Sequence, residues 1–189
     1  RMTHAFSRWW SLVLAGANLL ACSGGQSSLE AIAHAAAHHD IPELVTQLKS
    51  PSQRVACTAA RALSRIRSTD AISHYPVLLK ERRCGWRIPV EAALRLEELG
   101  AREHLEDIRS LLKSSDARLL VGAAIALTGL EDTSSIADLK KAYDSSNDTR
   151  LKPWLAWSLC RLRNEAGCQR PQRNTLGDQP LANKISMAE

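Results

Sequence analysis

Histidine side chains are concentrated in the short stretch AHAAAHHD, residues 33–40, and are the first candidates for chemistry in this sequence. His34 and His38 are four residues apart, so on a helix they share one face, as two metal ligands would. A zinc site needs a third and usually a fourth ligand, and only His39 and Asp40 are nearby, on other helix faces. We therefore expect exposed polar residues here. A lyase-like or metal-dependent site at His34, His38 and His39 is the alternative.

Other catalytic motifs are absent from the sequence. It contains no G-x-x-x-x-G-K-[ST] phosphate loop, no G-x-S-x-G elbow and no C-x-x-C pair. Ser, His and Asp residues occur, but no spacing among them implies a catalytic triad. The sequence thus predicts a protein that is not an enzyme and that has no cofactor.

Another reactive residue, Cys22, stands where an apolar segment ends and a polar one begins. Before it come basic Arg1 and Arg8, no acid, and an apolar run from Trp9 to Ala21. A charged start, a short apolar core and small residues at the exit are the layout of a secretory signal. The run is shorter than the roughly 20 residues that cross a bilayer, which disfavours a permanent transmembrane anchor.

The tetrapeptide LLAC, residues 19–22, resembles the lipobox of bacterial lipoproteins. In that family the cysteine sulfur receives a diacylglyceryl group, and the peptide bond before the cysteine is cut. The resemblance implies a lipid on Cys22, a cell-envelope location and, because Ser23 rather than Asp follows, the periplasmic face of the outer membrane. An ordinary signal peptide cut nearby is the alternative.

Composition limits the functions of the remaining chain. Without Arg1 and Arg8, 23 basic residues stand against 20 acidic ones, a net charge of +3 with no basic block. That mild balance argues against a nucleic-acid partner. Many Ala and Leu residues with a single Phe favour closely packed helices.

A repeat of about 32 residues organises most of the sequence. The segments QRVACTAARALSRI, WRIPVEAALRLEEL, ARLLVGAAIALTGL and TRLKPWLAWSLCRL each carry an Arg followed six positions later by Ala and nine positions later by Leu. The arginines are Arg54, Arg87, Arg118 and Arg150. A shorter amphipathic stretch precedes each segment, and Ser, Asp or Asn residues separate most of the pairs, so each unit is predicted to be helix, turn, helix.

These segments resemble the short bacterial form of the HEAT repeat over roughly residues 41–163. The resemblance implies an all-α fold, a right-handed α-solenoid of about four HEAT-like repeats with an N-terminal capping helix. It also implies that Arg118 pairs with Asp116 and Arg150 with Asp148. Some members of the class are phycobilin lyases, but nothing beyond the repeat supports that activity here.

The predicted organisation has four parts. Residues 1–21 form a lipoprotein signal peptide, residues 22–28 a linker to the lipid anchor, and residues 29–163 the repeat solenoid. Residues 164–189 form a polar tail, loosely held or disordered. Lipidation of Cys22 would leave four cysteines that can pair, and register favours Cys57 with Cys84 and Cys160 with Cys168. Small buried thiols are the alternative for Cys57 and Cys160.

Candidate binding residues come from the second helices, which line the concave face in solenoids of this type. When the second helices are aligned by the repeat, equivalent outward-facing positions become apolar towards the last repeats. They include two tryptophans beside glycines, residue types found at binding hot spots. Either these residues bind a partner, or the tryptophans close the end of the core beneath the C-terminal tail. The candidates are Leu94, Ile125, Trp154, Trp157 and Arg161.

Taken together, the sequence predicts a membrane-anchored scaffold or adaptor that binds a protein partner on its concave face and reaches the membrane through its lipid. A structural module that assembles with itself is a further alternative, and the sequence leaves the oligomeric state open.

Overall fold

The computed structural model describes residues 27–172, and the signal, lipobox and Cys22 predictions lie outside this range. Every regular element in residues 27–172 is helical. No helix in this part of the chain is long and apolar enough to span a membrane. The chain divides between Ile66 and Arg67 into two compact units, here called unit 1 and unit 2.

Unit 1 contains helix α1 (residues 27–38), α2 (Ile41–Leu48) and α3 (Gln53–Leu63). The predicted N-terminal helix is therefore present. The Asp40 side chain caps α2 by accepting a hydrogen bond from the Glu43 backbone N–H at 3.2 Å. The core of the unit consists of apolar side chains from all three helices, including Ile32, Ala35, Leu44, Val55, Ala59 and Leu63.

Unit 2 contains three helix pairs, each with a short first helix and a longer second helix. The second helices are α5 (Arg87–Glu98), α7 (Ala117–Gly129) and α9 (Lys152–Leu162). The first helices are α4 (Tyr75–Lys80), α6 (Leu105–Arg109) and α8 (Ile136–Ser145). Helix α7 packs against both α5 and α9. The predicted helix-turn-helix units are confirmed in this part of the chain.

The first helices of unit 2 are less regular than their apolar periodicity predicts. Short 3₁₀ segments precede α4, α6 and α8, over Thr69–His74, Arg102–His104 and Thr133–Ser135, and another, Ser110–Lys113, follows α6. Pro76 stands in the first turn of α4, where its missing N–H leaves no helical hydrogen bond unmade. The apolar stripe is kept because a 3₁₀ turn also repeats after about three residues.

Small residues allow the second helices to lie close together. A Cβ added at Gly122 of α7 would approach Val90 Cγ2 of α5 to 2.8 Å. Ala93 and Ala124 of the repeat pattern are fully buried, whereas Ala156 in α9, the last described helix, is exposed. The buried Ser158 hydroxyl of α9 donates to the Ala124 carbonyl of α7 at 3.3 Å. These contacts fix the second helices side by side.

Four helices, α1, α5, α7 and α9, end in the same hydrogen-bonded turn. In each, a residue with positive φ follows the helix, and the next backbone N–H donates to a carbonyl five residues earlier. Gly100 is the positive-φ residue after α5, but His39, Glu131 and Asn164 hold that position after α1, α7 and α9. Only one of the four turns therefore uses the glycine by which such a turn is recognised in a sequence.

Acid and arginine pairs hold the turns inside the last two helix pairs, as the resemblance implied. Asp116 Oδ1 accepts from the Arg118 backbone N–H at 2.9 Å, and Oδ2 accepts from Arg118 Nη2 at 2.9 Å. Asp148 and Arg150 repeat this arrangement. The bonded guanidinium holds the pKa of each aspartate below its usual value. The turn after α4 has the same pairing between Glu81 and Arg83, which the sequence analysis missed.

Candidate protein-binding groove

A groove of about 320 Å³ lies in unit 2 across the second helices α5, α7 and α9. It contains four of the five residues predicted to bind a partner. Its lining consists of Leu94, Glu97, Glu98, Ile125, Thr128, Gly129, Glu131, Trp157, Arg161 and Arg170.

The apolar floor of the groove comes from one register position of the repeat. Leu94, Ile125 and Trp157 follow one another at intervals of 31 and 32 residues, one on each second helix. Leu94 and Ile125 are 6% and 7% exposed, and Trp157 is half-buried. Side-by-side packing of the helices therefore converts a periodic pattern into a continuous apolar strip.

Trp154 does not belong to this surface. It is fully buried, and its ring meets that of Trp157 edge to face, with centroids 6.2 Å apart. The prediction that Trp154 contacts a partner is corrected: it belongs to the core, and it supports Trp157 from below. Trp157 alone of the two tryptophans lines the groove.

Paired acids form part of the rim. Glu98 accepts a hydrogen bond from the buried Arg95 and lies 3.6 Å from Arg67 Nε. Glu131 accepts from Arg102 Nη2 at 3.1 Å. These two carboxylates are held by the protein's own cations, so neither is left uncompensated at the groove.

Glu97 differs from its neighbours. Among residues 27–172 its half-buried carboxylate forms neither a hydrogen bond nor an ion pair. Burial raises the pKa of the Glu97 carboxyl, the charge of Glu98 raises it further, and Arg170 opposes both effects. A Cβ at Gly129 would clash with Glu97 Oε1, so the Glu97 side chain occupies space that only glycine leaves open.

The segment after α9 folds back on the groove. Cys160 and Cys168 form the predicted disulfide, with Cα atoms 5.7 Å apart. Two residues later, the Arg170 guanidinium lies over the Trp157 ring, 5.3 Å from its centroid, which is cation–π range. The first residues of the predicted tail, 164–172, thus have defined positions, and Arg170 is a lining residue that the sequence analysis missed.

Arg161 is exposed at the α9 side of the groove, as predicted from its outward-facing position in the repeat. The groove therefore carries carboxylates from α5 and from the turn after α7, and cations from α9 and the segment after it. A ligand lying across the helices would meet both signs of charge around one apolar floor.

A second groove, of about 360 Å³, lies in unit 1 between α1 and α3. Its apolar wall includes Leu29, Ile32 and Ala36, and its charged lining residues are Arg61 and Arg65. In the repeat register, Arg61 corresponds to the floor position of the unit 2 groove and Arg65 to the position of Glu98.

The histidine group of α1 has no arrangement suited to a metal. His34 and His38 are exposed, with ring centroids 4.3 Å apart, and His39 occupies the positive-φ turn. In the part of the chain described here, no three His, Cys, Asp or Glu side chains are grouped to hold a metal ion. The pairing of Cys57 with Cys84 stays a prediction.

A family model described as HEAT repeats matches residues 75–160, which run from the start of α4 into the last turn of α9. Among curated proteins, none matches the chain. The family match covers the whole apolar floor of the unit 2 groove, whereas Arg161 and Arg170 lie just beyond it. Residues 75–160 therefore carry HEAT-like repeats.

Proposed function

We propose that this protein is a HEAT-repeat scaffold whose unit 2 groove binds a protein partner. HEAT repeats commonly serve as scaffolds for protein interactions. The observation that carries the proposal is the apolar strip of Leu94, Ile125 and Trp157, bordered by charges of both signs. Tryptophan and arginine beside a small apolar depression are the residue types that dominate binding energy at protein interfaces.

The dimensions of the groove favour a peptide segment of the partner. A volume of about 320 Å³ accommodates a few side chains rather than a folded domain. The floor residues stand on helices that pack against one another, so binding orders little of the scaffold. The proposed architecture around the groove is a right-handed solenoid of about four repeats, with the groove on its concave face.

We also propose that the mature protein is anchored to the bacterial envelope by a lipid on Cys22, at the periplasmic face of the outer membrane. Four residues, Ser23 to Gln26, separate Cys22 from α1, which begins at residue 27. Fully extended, the chain from Cys22 to the start of α1 spans at most about 18 Å. The anchor would therefore keep the scaffold close to the bilayer and limit its partners to proteins found there.

Site-specific photocrosslinking tests the groove. A photoreactive residue replaces the half-buried Thr128, which lines the groove, and a matched one replaces Lys140, which is exposed on α8 and does not line it. We expect a crosslinked partner from position 128 alone, and its loss when Trp157→Ala is added. Equal products from both positions, or a product that survives Trp157→Ala, would refute the proposed site.

Lipidation is tested separately by Cys22→Ser. We expect the wild-type chain to fractionate with membranes and to gain the mass of its acyl groups, and the variant to lose both properties. An unmodified wild-type chain in the soluble fraction would refute the anchor without affecting the groove.

A further inference from the structure

We propose that the unit 2 groove recognises a single cationic side chain of its partner, arginine in preference to lysine, at the place where Arg170 now lies. This inference rests on the proposed function, because it specifies the chemistry of the peptide that the groove binds.

The position of Arg170 shows that the groove accommodates a guanidinium. Its guanidinium carbon lies 5.3 Å from the centre of the Trp157 ring, within the roughly 6 Å over which a cation is attracted to an aromatic face. The Trp154 ring packs edge-on against Trp157 and holds it in place. The aromatic face is therefore preorganised for a cation.

Glu97 provides the second interaction with the cation of the ligand. Glu98 and Glu131 already have arginine partners, whereas the Glu97 carboxylate has none within residues 27–172. A partly desolvated carboxylate without a partner is unfavourable, and an added cation that bonds to it relieves this cost. Glu97 lines the groove next to Gly129, so its charge is available to a ligand there.

Arg170 itself satisfies only part of this site. Its effect on the pKa of Glu97 is that of a nearby charge rather than of a hydrogen bond. The Cys160–Cys168 disulfide, two residues away, restrains where the segment carrying Arg170 can lie. An arginine on a separate peptide is free of that restraint and can stack on Trp157 while bonding to Glu97. Arg170 would therefore compete with the partner.

The other lining residues limit the ligand to one cation. Arg161 stands exposed at the α9 side and would repel a second positive charge. Leu94 and Ile125 offer apolar surface to the residues on either side of the cation. The inferred ligand is therefore an arginine flanked by apolar residues, and not a basic cluster.

Peptide titration of the full chain, purified in mild detergent, tests the inference. The probe is acetyl-Leu-Arg-Leu-Ala-amide, compared with analogues that carry lysine, neutral citrulline or glutamate in place of arginine. We expect the arginine peptide to bind about tenfold more tightly than the citrulline peptide, the difference typical of a charge-assisted bond together with a cation–π contact. Equal affinities for arginine and citrulline, or preference for glutamate, would overturn the inference.

Variants of the protein assign the effect to the site. Glu97→Gln should reduce the discrimination between arginine and citrulline to the part that comes from the Trp157 ring, whereas Glu103→Gln, at an exposed residue outside the groove, should retain all of it. Trp157→Leu should weaken binding of the arginine peptide, and Trp157→Phe should restore part of it because a ring remains. Undiminished discrimination in Glu97→Gln with an unchanged circular dichroism spectrum would contradict the assignment.

Competition by Arg170 gives an independent readout. Arg170→Ala should raise the affinity for the arginine peptide several-fold, because a competing cation–π contact is removed. The matched variant Arg163→Ala, at an exposed arginine that does not line the groove, should not change it. Unchanged affinity in Arg170→Ala would refute competition at this position.

The two levels of the proposal can fail separately. A partner crosslinked at position 128 together with no arginine preference would refute the cation site and leave the protein-binding groove standing. Absence of both the crosslink and the preference would refute both proposals.

Discussion

The grooves of unit 1 and unit 2 use corresponding positions of the repeat for different chemistry. In unit 1 the charged lining residues are Arg61 and Arg65, whereas the unit 2 groove combines three carboxylates with two arginines. The floor position, held by leucine, isoleucine and tryptophan in unit 2, is held by Arg61 in unit 1. The repeat therefore fixes the position of a side chain along its helix, whereas the type of residue at that position differs between repeats.

The grooves also differ in what builds their apolar walls. In unit 1 the wall comes from α1, which does not carry the repeat pattern. In unit 2 the wall comes from the second helices themselves. The unit 2 groove therefore depends on the spacing between repeats, and changes that loosen this spacing should affect it most.

The largest expected effect concerns a buried ion pair that belongs to unit 2. Asp132, 3% exposed in its side chain, accepts hydrogen bonds from Arg109 Nε at 2.7 Å and Nη2 at 2.6 Å. We expect Asp132→Asn to lower the free energy of unfolding by about 3 kcal/mol, because Arg109 loses its buried partner and keeps only the exposed Glu106. Hydrogen exchange should show lost protection in α6 and α7 and much less change in α2 and α3.

The matched control for that variant is Asp144→Asn, which removes an exposed pair with Lys140. Exposed pairs contribute about 0–1 kcal/mol. Equal destabilisation by the two variants would show that the buried pair has no special role in unit 2.

Gly129→Ala should lower the peptide affinity of unit 2 much more than its stability. Gly129→Ala places a Cβ where Glu97 now lies and must displace that side chain, which is flexible. We expect a several-fold loss of affinity for the arginine peptide through the lost charge-assisted bond. Stability should change by no more than about 1 kcal/mol, since alanine is the better helix former. Peptide titration and thermal unfolding measure the two effects.

Gly122→Ala is the control for the glycine substitution. Its Cβ would press on Val90 inside the core rather than on a groove side chain. Overpacking of this kind costs about 1–3 kcal/mol. If Gly129→Ala left peptide affinity unchanged, Glu97 would not be the carboxylate that binds the cation.

Acidification should distinguish Glu97 from the aspartates of the turns. The pKa of Glu97 is raised by burial, so its charged form destabilises the fold, and protonation as the pH falls through that pKa should slightly raise stability. Affinity for the arginine peptide should fall over the same interval. The pKa values of Asp116 and Asp148 are lowered by their arginines, so the stability that they contribute is lost only at lower pH.

Peptide affinity and thermal stability, each measured as the pH is lowered from 7, test this prediction. The change caused by Glu97 should appear at a higher pH than the loss of stability caused by Asp116 and Asp148. Glu97→Gln should abolish the change in affinity at the higher pH and leave the loss of stability at the lower pH. An affinity that falls only together with global unfolding would contradict the assignment to Glu97.

The smallest expected effect lies in unit 1. His39 has φ of +55°, a conformation that strains a residue with a Cβ. We expect His39→Gly to raise the free energy of unfolding by about 0.5–1 kcal/mol, once the larger entropy of glycine in the unfolded chain is included. Asn164→Gly should gain less, since asparagine tolerates this conformation. Destabilisation by His39→Gly in chemical denaturation would indicate that the imidazole makes a contribution of its own.

Local pairings were predictable where both partners lie within one repeat. The Asp116–Arg118 and Asp148–Arg150 pairs follow from two residues that flank one turn, and the Cys160–Cys168 bond follows from two cysteines on either side of one helix end. The Arg109–Asp132 pair was not predictable, because its residues are 23 apart, one at the end of α6 and the other in the turn after α7. Nothing in the local pattern distinguishes this arginine from an exposed one.

The sequence by itself determined the helical repeat, the helix pairs and the apolar column that became the floor of the groove, because periodic burial leaves a direct trace in the order of residues. Only the tertiary structure decided which tryptophan faces the groove, which glutamate lacks a partner there, and that Arg170 returns to lie over Trp157. Burial and charge pairing at those positions depend on side chains from three helices and a disulfide-restrained segment. A one-dimensional pattern contains the residues of such a site but not the distances that join them.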